Sequence, residues 1–198
     1  MAARNSTLWT YTDYYKIREQ DLREKAFDAY CLFCATDHEI KLTRELNYLN
    51  AECLALPFLR MKREGSRSNS FLVQKILLSG YVFIFCPTGY GLNLLRRGET
   101  PFRILDRKEN GGLLVEDDRK YADWILKQGG ILDLSKAIQV GDRVKIISGP
   151  LLDLQGYITG YSKKSRNFRV QFEMMGVAVN TWLPFELVEP TEKWRELD

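Results

Sequence analysis

Apolar and polar residues alternate with period two from Phe168 to Glu173, so Phe168, Val170 and Phe172 share one face and Arg169, Gln171 and Glu173 the other. That is a strand with one buried face. Upstream, the turn pair Gly141-Asp142 opens an alternating stretch, Gly149-Pro150 breaks it, and Gly156 precedes a further strand. Gly156 is expected at a chain reversal with positive φ or close backbone approach, which glycine alone tolerates cheaply. Downstream, Met174-Met175-Gly176 turns the chain into Val177–Leu183, and Pro184–Pro190 closes the pattern. Five short strands over residues 139–190 predict a small, strongly bent SH3-like β-barrel. The β-branched and aromatic alternation favours strands there, and the barrel is expected to be stable as a barrel.

The periodicity is mixed before residue 131. Phe27–Ala35 reads as a strand, and Thr36-Asp37-His38-Glu39 has the spacing of a capping box that opens a helix carrying Leu42, Leu46 and Leu49 on one face. Strands at Cys53–Met61 and Phe71–Leu78 flank a polar hairpin tip, Lys62–Ser70. Tyr81-Val82-Phe83-Ile84-Phe85 is apolar throughout, as a central strand covered on both faces should be. Leu92 and Leu95 suggest a short helix ending at Arg96-Arg97-Gly98, and Phe102–Leu105 a further strand. Tyr121, Trp124 and Ile125 mark a helix introduced by Asp117-Asp118 and stopped at Gly129-Gly130. The expected organisation is α+β: an extension (1–26), an α/β sandwich with an antiparallel sheet flanked by helices (27–130), a linker (131–138), the barrel (139–190) and a tail (191–198). In the extension, Trp9, Tyr11, Tyr14, Tyr15 and Ile17 are too aromatic for a plain linker, and Arg18–Lys25 reads as a charged helix that either folds back or binds a partner.

Composition narrows the chemistry. With 29 basic and 26 acidic residues the net charge is only +3, so affinity for nucleic acid must come from local clustering. No apolar run reaches a membrane span, and Met1–Ser6 lacks the apolar core of a secretion signal, so a cytoplasmic protein is expected. Cys31-Leu32-Phe33-Cys34 has the spacing of a redox pair or half a zinc site, but Cys53 and Cys86 are single and His38 is the one histidine. The surrounding run looks like a buried strand, so reduced, structural cysteines are expected, with no metal and no cofactor. No Gly-rich phosphate loop, metal cluster or nucleophile with its base appears, which argues against an enzyme.

The stretch Gln139–Ile158 resembles the KOW motif, and with Gly80-Tyr81-Val82-Phe83 at the expected distance upstream the chain resembles the NusG/Spt5 family of transcription elongation factors over roughly residues 27–190. The family's Phe-Pro-Gly-Tyr-Val-Phe segment here reads Leu78-Ser79-Gly80-Tyr81-Val82-Phe83. That departure and the unusual leader point toward a specialised bacterial paralogue of the LoaP or RfaH kind; RfaH itself refolds its last domain to helices.

The resemblance implies a transcription elongation and antitermination factor whose N-terminal domain docks on the clamp helices of RNA polymerase. It places Phe33, Tyr81 and Phe83 where the family presents polymerase-facing aromatics, a sensible chemistry for a hot spot. The Asn-Thr pair and the His-Thr-Thr-Thr run that some members carry are missing around Leu92–Pro101, so base-specific pausing is not expected, while Arg96 and Arg97 remain candidates for phosphate contacts with non-template DNA. Two solvated arginines complementing a helix dipole account for them equally well. The basic hairpin Lys163, Lys164, Arg166 and Arg169, with outward-facing Arg143 and Lys145, is the candidate for nascent RNA, with Asn167 or Tyr161 adding polar or stacking contacts. Elsewhere in the family the loop matched by Met174 and Met175 contacts ribosomal protein NusE or Rho, and two exposed methionines would suit that. Val177 stands where housekeeping members can carry arginine. The expected protein is monomeric. The alternative is a ribosome-associated or free RNA-binding KOW protein that does not touch polymerase.

Overall fold

The computed structural model describes residues 13–66, 69–105, 111–141 and 143–189. The expectations for Trp9, Tyr11, Asp142, Pro190 and the tail 191–198 lie outside these residues, as do the side chains of Tyr14 and Ile17. The chain divides into two compact units, one of residues 1–59 with 76–131 and the other of residues 60–75 with 132–198. The hairpin 60–75, read from sequence as part of 27–130, therefore falls with residues 132–198.

The first unit is built on a four-stranded sheet in the order β2-β5-β1-β6, where β1 is Phe27–Cys34, β2 Leu54–Pro57, β5 Tyr81–Pro87 and β6 Phe102–Ile104. All of its pairings are antiparallel. Central β5 is buried from Val82 to Cys86, which its unbroken apolar run requires. On one face Leu32, Val82, Ile84 and Ala55 pack under Leu42 and Leu46 of α2 (Glu39–Leu49). On the other, Phe58 lies edge-on to Phe83 and to Trp124 of α3 (Glu116–Lys127), and Arg119 stacks 4.6 Å from the Phe27 ring.

The charged helix of the extension is α1 (Asp13–Lys25), and it folds back. Its Arg18 is 7% exposed and donates to the carbonyls of Cys53 and Asn47, both at 2.9 Å. Asn47 in turn exchanges two hydrogen bonds with the Ala55 backbone, each 2.8 Å, so one buried polar network ties α1, α2 and β2 together.

Two local expectations are corrected in this unit. The capping box does not form: His38 is the N-cap without a side-chain hydrogen bond, and Glu39, 1% exposed, accepts instead from the backbone N–H of Gly80 at 2.5 Å. The helix expected at Leu92–Leu95 is a single 3-10 turn, Leu92–Leu94.

The strands β3 (Leu59–Gly65) and β4 (Ser70–Ile76), which fall in the second unit except for their end residues 59 and 76, form a ribbon joined by β7 (Ile131–Leu132). A five-stranded sheet follows in the order β10-β11-β12-β8-β9, with β8 at Ser135–Val140, β9 at Arg143–Ser148, β10 at Ile158–Ser162, β11 at Asn167–Met174 and β12 at Val177–Leu187. Strand β8 begins inside the segment read as a linker. Phe168, Val170 and Phe172 are buried and Arg169, Gln171 and Glu173 exposed, the alternation that predicted β11. Gly156 has neither positive φ nor a close neighbour; the constraint sits at Gly149, where φ is +92° and an added Cβ would lie 2.7 Å from Cα of Ser135. Gly149 starts the short helical turn α4 (Pro150–Asp153), whose Leu151 N–H donates to Ser135 Oγ at 3.0 Å. No helix among the described residues is long and apolar enough to cross a membrane.

Candidate docking and nucleic-acid surfaces

Antiparallel register puts Tyr81, Phe33 and Arg103 in one row across β5, β1 and β6. They share a face with Phe83 and Cys31, which lie two residues further along the strands and are fully buried. At this end of the sheet the aromatics are half-buried and Arg103 is exposed. Phe33 meets Tyr81 edge to face at 5.4 Å between ring centroids, and the Arg103 guanidinium lies 5.0 Å from the Phe33 ring. Gly80 makes room for this packing: its φ is +85° and a Cβ there would stand 2.8 Å from the Phe33 ring. The Gly80 N–H is held by Glu39 and its carbonyl accepts from the Cys34 N–H at 2.8 Å. A buried carboxylate thus fixes the turn that delivers Tyr81. The result is a rigid amphipathic patch with one cation at its edge.

Phe83 does not belong to that patch. It is 0% exposed and packs against Phe58, so it is a core residue. Its position two residues along the same strand face explains the correction, because there Phe58, itself edge-on to Trp124 of α3, covers the ring. The cysteines flanking Phe33 face inward and are free. Burial pushes the Cys34 thiol from 9.0 up to about 11 and raises Cys31 further, so both are poor nucleophiles at neutral pH.

Arg96 and Arg97 are exposed at the end of the 3-10 turn. Asn50 brackets the Arg96 backbone, accepting from its N–H at 2.7 Å and donating to its carbonyl at 3.0 Å, while the Arg97 guanidinium stacks 4.6 Å from the Phe102 ring. No helix long enough to have a dipole precedes them, so backbone bracketing and ring stacking set their placement.

In the second unit the loop between β10 and β11 exposes Lys163, Lys164 and Arg166. Ser162 Oγ accepts from the Ser165 N–H at 3.2 Å and Asn167 donates to the Ser165 carbonyl at 2.8 Å, so Asn167 holds its own turn. Arg169 on β11 sits opposite Trp182 on β12 and donates to Asn180 at 3.1 Å. Trp182, 44% exposed, and Tyr161, 47% exposed, are the exposed large aromatics nearest these cations in sequence and register. Trp182 was missed in the sequence, although burial of Val179, Thr181 and Leu183 follows a period-two pattern that points it outward.

Arg143 and Lys145 are exposed on β9, as expected, but form a separate patch. They line a cavity of about 590 Å³ with Ile158 and Phe168, and no residue of the 163–166 loop takes part in it. Met174 is also corrected: it is 1% exposed, because β11 continues through it, and the turn begins at half-buried Met175, φ +54°. The loop offers a partner one methionine rather than two.

No protein-family model matches the chain, and no curated protein does. Among solved structures it is similar to one described as "Domain interaction in Thermotoga maritima NusG", with 18% identity and a TM-score of 0.43 over 80% of this chain and 93% of that one.

Proposed function

We propose that the chain is a non-enzymatic transcription elongation and antitermination factor, acting as a cytoplasmic monomer. In this reading the first unit docks on RNA polymerase through Tyr81 and Phe33, and the barrel engages RNA or a partner protein. The observation that carries it is the half-buried row Tyr81–Phe33–Arg103, pre-organised by edge-to-face packing over Gly80. Such a patch loses little side-chain entropy on docking and excludes water from two rings at once. Sequence support comes from the Gly80–Phe83 segment and the KOW-like stretch Gln139–Ile158. Phe83 supports the row from the core and is left out of the docking set. On the barrel, Lys163, Lys164, Arg166 and Arg169 serve nucleic acid, and Met175 remains as the apolar contact for a protein such as NusE or Rho.

The test is capture of bacterial RNA polymerase by the wild-type chain and by a variant carrying Phe33→Ala with Tyr81→Ala, with folding checked by circular dichroism. Capture by wild type and its loss in the folded variant is the expected result. Failure of the wild type to bind removes the polymerase half of the reading. The exposed cations beside Trp182 and Tyr161 favour a second reading in that event, an RNA-binding or ribosome-associated protein working through the barrel alone.

A further inference from the structure

The ribbon β3–β4 carries a cation whose Nε has no hydrogen-bond partner among the described residues. Lys62 and Lys75 both pair with Glu64, at 3.1 and 3.6 Å, and these partners hold the Glu64 carboxyl below its usual range. Arg63 lies between Lys62 and Glu64 in a strand, so its side chain points to the other face. It is half-buried, and its Nε is buried without a hydrogen-bond partner. An unpaired guanidinium donor in that setting is costly unless something fills the place.

A cleft of about 520 Å³ opens beside it, lined by Arg63, Ser66 and Ser70 of the ribbon and by Ser162, Lys164 and Arg166 of the β10–β11 loop, with no carboxylate among the described lining residues. At the base of the ribbon, Arg60 donates to the Trp182 carbonyl of β12 at 3.1 Å. Arg166 adds an independent sign. It sits at φ +52°, a left-handed conformation that is strained for a non-glycine residue and that glycine would adopt freely. Three cations and several hydroxyls facing one cleft match an anion with many acceptor oxygens, and the guanidinium fork suits phosphate. Exposed Tyr161, one residue before Ser162, and Trp182 supply aromatic faces for bases adjoining such a phosphate.

We propose that this cleft seats a backbone phosphate of a single-stranded nucleic acid, with Arg63 and Arg166 as its two anchors, one from the ribbon and one from the barrel loop. The assignment deepens the nucleic-acid part of the reading above and does not depend on the polymerase part. Because the anchors come from segments about a hundred residues apart, a strand bound here joins ribbon and barrel through one phosphate group.

The experiment is titration of fluorescein-labelled single-stranded RNA, and of DNA of the same sequence, with the full chain over a range of salt concentrations. Arg63→Gln is expected to weaken binding about tenfold and to reduce the salt slope by about 0.7, the signature of one lost phosphate contact. Arg166→Gly is expected to do the same while leaving the melting temperature equal or higher. The two changes together should cost less than the product of each alone, because they share a ligand. Arg63→Lys, which keeps the charge, should regain part of the affinity. Equal binding of RNA and DNA would identify a reader of phosphate alone, and tighter RNA binding would add a ribose contact; either supports the assignment. If wild type binds but Arg63→Gln behaves like the exposed control Lys136→Gln, the cleft is not the site and binding lies elsewhere on the barrel. If wild type binds neither strand, the cleft and the nucleic-acid reading fall together.

Discussion

The row Tyr81–Phe33–Arg103 and the loop Lys163–Arg166 solve the problem of presenting a contact in opposite ways. The first is an extension of a core: its rings stand on strands buried along most of their length and are themselves half-buried. The second is an exposed turn of cations stabilised by its own Ser162 and Asn167 hydrogen bonds. Binding at the row should depend on apolar area and barely on salt, whereas binding at the loop should fall steeply as salt rises. Their sensitivities to mutation should separate just as clearly, because one is continuous with the packing and the other is not.

The largest expected effect separates core from surface along one strand face. Phe83→Ala should cost about 3–5 kcal/mol by urea unfolding, while Phe33→Ala, two rows nearer solvent in the pairing sense, should cost clearly less and act on partner capture. Equal losses from both would erase the distinction between support and contact. Next, Gly149→Ala should destabilise by about 1–3 kcal/mol, since it strains a left-handed position and collides with Ser135, whereas Gly156→Ala should change the unfolding midpoint little. Glu39→Ala, which orphans the buried Gly80 N–H, should cost about 1–3 kcal/mol and lower capture by loosening Tyr81, leaving loop-dependent RNA binding intact.

The smallest effect concerns Cys34, back to back with Phe33. Its thiol is raised from 9.0 to about 11, so alkylation at neutral pH should be slow in the folded chain and fast in urea. The linkage has the same sign: the stability this thiol contributes is present in full below pH 9 and is lost as pH rises through 11. Rapid alkylation of the folded protein at neutral pH would mean that this end of the sheet opens.

What was legible in the sequence was whatever local periodicity controls. The alternation of Phe168–Glu173, the apolar run of β5 and the helix stop at Gly129-Gly130 all appear where the residues place them. What was not legible depends on partners distant in the chain. Thr36 and Glu39 have the spacing of a capping box, but Glu39 meets the Gly80 N–H, 41 residues away, and a buried partner outcompetes the local one. Phe33 and Phe83 look alike as strand aromatics until the packing of Phe58 on Phe83 decides which is core. The ribbon reads as one more hairpin of the first domain because the Arg60 bond to Trp182 spans 122 residues. Met174 misled because the strand runs one residue further than the Met-Met-Gly turn suggests, with Met175 at positive φ taking the bend.

The most direct test of the contrast is to measure both affinities in one preparation of the Phe33→Ala/Tyr81→Ala chain, for bacterial RNA polymerase and for single-stranded RNA, at low and moderate salt. Polymerase binding should fall by at least about tenfold at both salt concentrations while RNA affinity and its salt slope match wild type. Loss of RNA binding in the folded variant, or polymerase binding that persists and collapses with salt, would contradict that contrast.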